Sequence, residues 1–194
     1  MNLTTKKQIM HLIATDVFKE YNSSAMAKQL GITRVGAFKA LKEMEKDGLV
    51  KGKQMGKSKF YSIDLNEDYT KKTIELILLE KSRAYKRWIE EFRKLFEYTY
   101  IIILFGSITN NEKKADDIDL LLVFDEKNNS IINKIINEKN QILTKNIHPV
   151  KQTENEFKDN IIKKDKIILS ALRDGIVLHG IDNFVETIKN VTNR

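Results

Sequence analysis

The sequence predicts an α+β protein in two parts, and three observations carry that expectation. Positive charge is concentrated at one end: residues 1–65 hold 12 Lys/Arg against 6 Asp/Glu, whereas residues 66–194 hold 22 against 21. Residues 68–97 contain no Gly or Pro and repeat apolar side chains at helical spacing. Two apolar runs of strand length, YIIILF at 100–105 and DIDLLLVF at 117–124, flank a polar loop. The expected boundaries are a basic first domain over 1–65, a connecting helix over 66–98 and a sheet-bearing domain over 99–194.

Bulk composition narrows the possibilities. Hydrophobic residues make up 41% and charged residues 31%, a globular balance. There is no cysteine, which excludes a disulfide framework and a cysteine-held zinc site. The first residues lack a signal-type apolar core, and no stretch reaches the ~18 apolar residues that span a bilayer. A cytoplasmic protein without membrane attachment is expected. The basic first third suits a polyanion; a solvated basic surface is the alternative.

In the first third, Thr4 can cap a helix through KKQIMHLIATDVF, with Ile9, Leu12 and Ile13 facing a core. Ser23 or Ser24 can cap a short helix, AMAKQL, which Gly31 stops. Thr33 can cap the next helix, with Phe38, Leu41 and Met44 as its apolar positions and Gly48 at its end. Two helices joined by so short a turn have the helix-turn-helix signature. Leu49-Val50-Lys51 and Phe60-Tyr61-Ser62-Ile63 are strand candidates, with GKQMGKSK as the hairpin between them.

This order, carried by LGITRVGAFKALKEMEKDGLV, resembles the winged-helix DNA-binding domains of bacterial and archaeal transcription regulators. The resemblance implies a double-stranded DNA partner. A recognition helix reads bases from its N-terminal turns. Here these turns offer Thr33, Arg34, Gly36, Ala37 and Lys39, with Lys42 further along. Lys51, Lys53, Lys57 and Lys59 crowd the wing, where phosphate contacts are expected. The alternative is a winged helix used for protein contacts.

Residues 68–97 are expected to form one helix roughly 40 Å long, at about 1.5 Å per residue. Ile74, Ile77, Leu78, Tyr85, Trp88, Ile89, Phe92 and Leu95 follow its spacing. Tyr85, Trp88 and Phe92 read as core. Leu76 and Leu79 suit a homodimer seam or intrachain core alike.

The chemistry lies further on. Tyr100 to Phe105 reads as a buried strand broken by Gly106-Ser107, and Asp117-Ile118-Asp119 opens the next. Residues i and i+2 of a strand share a face, so Asp117 and Asp119 project together. Adjacent carboxylates repel, and a cation neutralises them; Mg²⁺ takes oxygen ligands and binds carboxylates together with substrate phosphates. Gly106 lets backbone approach a phosphate, and Ser107 adds a hydroxyl.

Gly-Ser, nine residues, then Asp-x-Asp within an apolar strand resembles the nucleotidyltransferase superfamily, which includes DNA polymerase beta and the minimal nucleotidyltransferases of prokaryotes. The resemblance implies a mixed sheet with flanking helices and transfer of a nucleoside monophosphate to a hydroxyl. It assigns Gly106 and Ser107 to the triphosphate turn. Asp117 and Asp119 become catalytic metal ligands for Mg²⁺ (or Mn²⁺), with a nucleoside triphosphate as ligand or substrate. Downstream, 129–144 suits a helix and 146–153 a strand; Glu154 and Glu156 suit the cap of the next helix, and ILSALRDGIVLHG a closing helix and strand.

Two positions depart from the pattern. Asp116 stands where a serine is common and is expected to be exposed. Active members place a third carboxylate on the strand after the helix, yet 146–153 contain no Asp or Glu. His148 is the residue of suitable type there, as base, ligand or simple surface histidine. His11 and His179 read as structural. Three readings follow: a DNA-binding transcription regulator that binds a nucleotide, an active nucleotidyltransferase, or an antitoxin-like interaction factor.

Overall fold

The computed structural model describes residues 4–192. It is α+β, with one three-stranded and one four-stranded sheet. The chain divides into two compact units between Ile77 and Leu78.

The first unit begins with α1 (Thr5–Thr15), β1 (Tyr21–Asn22), α2 (Ser23–Leu30) and α3 (Arg34–Lys46). The hairpin β2 (Lys51–Met55) and β3 (Ser58–Ser62) follows, and the first part of α4 (Asp68–Ser82) ends the unit. Asn22, not Ser23 or Ser24, caps α2: its side chain accepts from the Ala25 N–H at 2.9 Å. Gly31 closes α2 at φ 65°. Thr33 caps α3, accepting from the Gly36 N–H at 3.0 Å.

Two further expectations fail in this unit. Phe38 is not a core residue of α3; it is 50% exposed, while Ala37, Ala40, Leu41 and Met44 are buried. The inward face carries the alanines and the outward face the phenylalanine, a choice that spacing alone does not make. The hairpin is also tighter than expected. Lys51–Met55 form strand and Met55 pairs with Ser58, leaving Gly56-Lys57 as the turn. The short strand β1 pairs with β3, so the order is β1-β3-β2.

The expected continuous helix over 68–97 is broken into α4, a 3₁₀ turn (Arg83–Tyr85), α5 (Lys86–Glu91) and a 3₁₀ segment (Arg93–Tyr98). The Ser82 hydroxyl donates to the Leu79 carbonyl at 2.9 Å, competing with the helical ladder where it breaks. Beyond it, Trp88, Phe92 and Leu95 are buried against the sheet, with Tyr85, Ile89, Phe96 and Tyr98 half-buried around them. That packing overrides helix propensity. Leu76 and Leu79 on α4 are exposed.

Then come β4 (Ile101–Phe105), the single turn α6 (Ser107–Asn110), β5 (Asp117–Val123), α7 (Asn129–Asn140) and β6 (Asn146–Gln152). The chain continues with α8 (Glu154–Ile162), α9 (Lys166–Asp174), β7 (Ile176–His179) and α10 (Ile181–Thr192). The sheet order is β6-β5-β4-β7, with β5 and β6 parallel and the other pairs antiparallel. Pro149 sits on the edge strand β6, where a missing N–H is tolerated.

Alternation along β5 divides the core. Ile118, Leu120 and Leu122 pack with Trp88, Phe92 and α7 residues Ile132, Ile135 and Ile136. Leu121 and Val123 are buried on the opposite face, where α9 and α10 contact β4. Thr153 and Glu156 form a capping box at α8, as the sequence predicts for that glutamate.

Candidate functional site

The carboxylate pair lies at the first residues of β5. Asp117 and Asp119 are half-buried and share a face; Ile118 between them is buried on the other. Asp116 is exposed. The neighbouring strands complete the site. In the antiparallel β4–β5 pair Asp119 stands opposite Phe105, which brings Gly106 alongside it. In the parallel β5–β6 pair Asp119 stands opposite His148.

Gly106 has φ 76° and ψ −156°, a conformation essentially reserved for glycine. A Cβ there would lie 2.1 Å from Asp119 Oδ2, so the turn and the carboxylate are in direct contact. Ser107 is exposed at the start of α6. Its neighbour Thr109 donates its hydroxyl to the Gly106 carbonyl at 2.9 Å, bracing the turn.

His148 Nδ1 is 2.9 Å from Asp117 Oδ2, and the imidazole is 60% exposed. The sequence marks this histidine only as the residue of suitable type on its strand. Its signal was its place near the start of a strand otherwise lacking acidic residues, but only the parallel register sets it beside the pair. Asp117, Asp119 and His148 each offer one ligand atom, all within 4.8 Å of one another. Atoms bound cis to one ion at about 2.1 Å stand about 3 Å apart, so this donor set fits a divalent cation after small side-chain adjustments.

Burial raises the Asp119 pKa above the ordinary 3.8, and the Asp117 charge raises it further; His148 acts the other way. A carboxyl that binds its proton more tightly when folded costs stability once ionised. Stability therefore falls as pH rises from 3.8 through the folded value. Asp119→Asn is expected to raise the melting temperature at pH 7 by calorimetry. The gain should vanish below the ordinary carboxylate value, where both states are protonated. An equal gain at low pH would assign it to something other than charge.

The other candidate surface is α3 with its hairpin. Arg34, Val35, Phe38, Lys39 and Lys42 are exposed. Thr33 is exposed, although its hydroxyl is engaged as the cap. Ala37 is 0% exposed and Gly36 half-buried. Ala37 therefore cannot contact a duplex; its methyl is needed inward, under the helix. Lys51 is paired with Asp64, and Lys59 with Glu45 at 2.6 Å. The pairing hydrogen bonds raise both lysines' pKa values. Their charge is locally compensated, which weakens the expectation that they contact phosphate. Lys53 and Lys57 are exposed and unpaired among the described residues.

His179 stacks on Phe96, with ring centroids 4.3 Å apart, and burial lowers its pKa. It is a packing residue, as expected.

Residues 87–174 match the family described as Polymerase beta, Nucleotidyltransferase. This segment is a nucleotidyltransferase-like domain. It spans β4, the Gly106 turn, the carboxylate pair on β5 and His148 on β6, just under half of the chain. The nucleotidyltransferase family generally uses a divalent metal and a nucleoside triphosphate, and the acidic group on β5 accords with that. Two solved structures are similar to the chain at low level, and both are mutants of Lactococcus lactis ZitR. One shows 13% identity and a TM-score of 0.37, covering 73% of this chain and 77% of that one. The other shows 15% identity and a TM-score of 0.33, covering 73% and 75%. At TM-scores this low neither likeness bears on fold or function. No curated protein matches the chain. No helix among the described residues is long and apolar enough to cross a membrane.

Proposed function

We propose that the chain is a DNA-binding transcription regulator. In this reading the first unit is a winged helix, and the nucleotidyltransferase-like domain binds a nucleoside triphosphate with a divalent cation. The observation that carries the reading is the composition of the site: two carboxylates and an imidazole gather beside a glycine turn, with no third carboxylate on β6. The family's transfer reaction draws on a third carboxylate as base and second-metal support, so its loss favours binding over turnover. Asp117, Asp119 and His148 would hold the ion, which when bound would neutralise phosphate charge. Gly106, with no side chain, lets the turn backbone lie directly against Asp119, and the exposed Ser107 hydroxyl would donate to a phosphate held there.

The first unit supports the DNA half. Arg34 and Lys39 project from the N-terminal turns of α3. Exposed Val35 and Phe38 supply apolar surface suited to thymine methyl groups. Lys53 and Lys57 would meet phosphate at the wing. Leu76 and Leu79 would form the seam of a homodimer.

For the nucleotide to regulate, its affinity must differ between the DNA-bound and free states. The expected coupling is about 5- to 150-fold in DNA affinity, read by fluorescence anisotropy on genomic fragments with and without ATP, GTP, CTP or UTP. Lys53→Ala with Lys57→Ala should make the negative slope of log affinity against log salt shallower by about 2. Pyrophosphate release, or label transferred from the triphosphate to an acceptor and lost with Asp117→Ala, would make the chain an enzyme instead. Failure to bind any duplex at low salt would leave an interaction factor.

A further inference from the structure

The donor set at the head of β5 is mixed. Two ligand atoms are carboxylate oxygens from Asp117 and Asp119, and the third is an imidazole nitrogen of His148 from the neighbouring parallel strand. Mg²⁺ is a hard ion that takes oxygen ligands and gives up water reluctantly. Imidazole suits first-row transition ions, whose affinity for nitrogen-bearing sites exceeds that of Mg²⁺. We propose that His148 is a metal ligand and makes this site selective for a first-row transition ion over Mg²⁺.

The proposal rests on Asp117 and Asp119 being the metal-binding pair, as in the function proposed above. The geometry places His148 within reach of that role. It stands opposite Asp119 in register, and its Nδ1 lies 2.9 Å from Asp117 Oδ2, so the ring is already turned toward the pair. Side-chain exposure of 60% leaves it room to adjust. Lys151, further along β6, is not a competing ligand; its ammonium donates to Asn133 and Asn129. Lys145 is likewise engaged, with the Ala115 carbonyl. A protonated lysine offers no lone pair to an ion in any case.

Mn²⁺ is the probe, alone and with inorganic triphosphate, which carries no nitrogen. Pulsed electron paramagnetic resonance of the full chain should show nitrogen coupling to the bound ion. His148→Ala should abolish that coupling and weaken Mn²⁺ binding about 10- to 100-fold by calorimetry. His148→Asp should restore Mn²⁺ binding while shifting the Zn²⁺-to-Mg²⁺ affinity ratio at least about tenfold toward Mg²⁺. His148 is exposed, so neither variant should disturb folding. Unchanged Mn²⁺ affinity and a nitrogen-free spectrum in the wild type would overturn the assignment of His148 while leaving the carboxylate pair intact. No Mn²⁺ binding by the wild type, or binding indifferent to Asp117→Ala with Asp119→Ala, would instead overturn the nucleotide-site reading and this proposal with it.

Discussion

Gly106→Ala is expected to weaken metal-dependent nucleotide binding at least about 100-fold while leaving the second unit folded. Two effects combine. The backbone at φ 76° and ψ −156° is a region where a side chain costs about 1–3 kcal/mol. The new methyl would also lie 2.1 Å from Asp119 Oδ2. Because that oxygen is the free end of a side chain, the carboxylate can swing aside, but in doing so it leaves Asp117 and His148. Calorimetric titration with a nonhydrolysable triphosphate and metal would read the loss. Gly31→Ala is the control. It too has positive φ, but nothing lies within 4 Å of a Cβ placed there. It should lower stability by about 1–2 kcal/mol and leave nucleotide binding unchanged. Wild-type affinity in Gly106→Ala would show that the turn and the carboxylate do not act together.

Phe92→Ala should produce the largest loss of stability, about 3–5 kcal/mol. Phe92 is 1% exposed and lies in the core beneath the sheet. Its ring is nearly parallel to Trp88, with centroids 5.9 Å apart and an interplanar angle of 12°. Removing it takes away the ring's burial, its stacking against Trp88 and the filling of the space beyond α5. Trp88 is the single tryptophan, so its fluorescence follows unfolding of this unit directly. Urea titration should show a lower midpoint with little change in slope. For a protein stable by about 5–15 kcal/mol the loss is a large share of the total. A change under about 1 kcal/mol would mean the core closes over the gap and that Phe92 does not anchor the broken segment.

The parts of this protein that were legible in sequence are those set by local chemistry. Thr33 as a cap and Gly31 as a stop each depend on one residue and its immediate neighbours. The shared face of Asp117 and Asp119 follows from the two-residue period of a strand. Where several local choices were equally good, tertiary packing decided. Asn22 capped α2 although Ser23 and Ser24 stood next to it. Phe38 turned outward because α3 buried its alanine face. The stretch 68–97 carries every local mark of one long helix, yet it is interrupted by 3₁₀ turns where its aromatic side chains settle on the sheet.

By itself, then, the amino-acid order determined which residues bear the chemistry: the glycine-serine turn, the paired aspartates and the basic helix start. Only the folded sheet decided which of them meet. The antiparallel register of β4 on β5 sets Gly106 against Asp119, and the parallel register of β6 on β5 sets His148 across from it. Register is fixed by burying two apolar faces across strands far apart in the chain, and a slip of one residue would turn every side chain over. That long-range condition leaves no mark in any single stretch of residues, which is why the histidine's place beside the pair could not be read from its own segment.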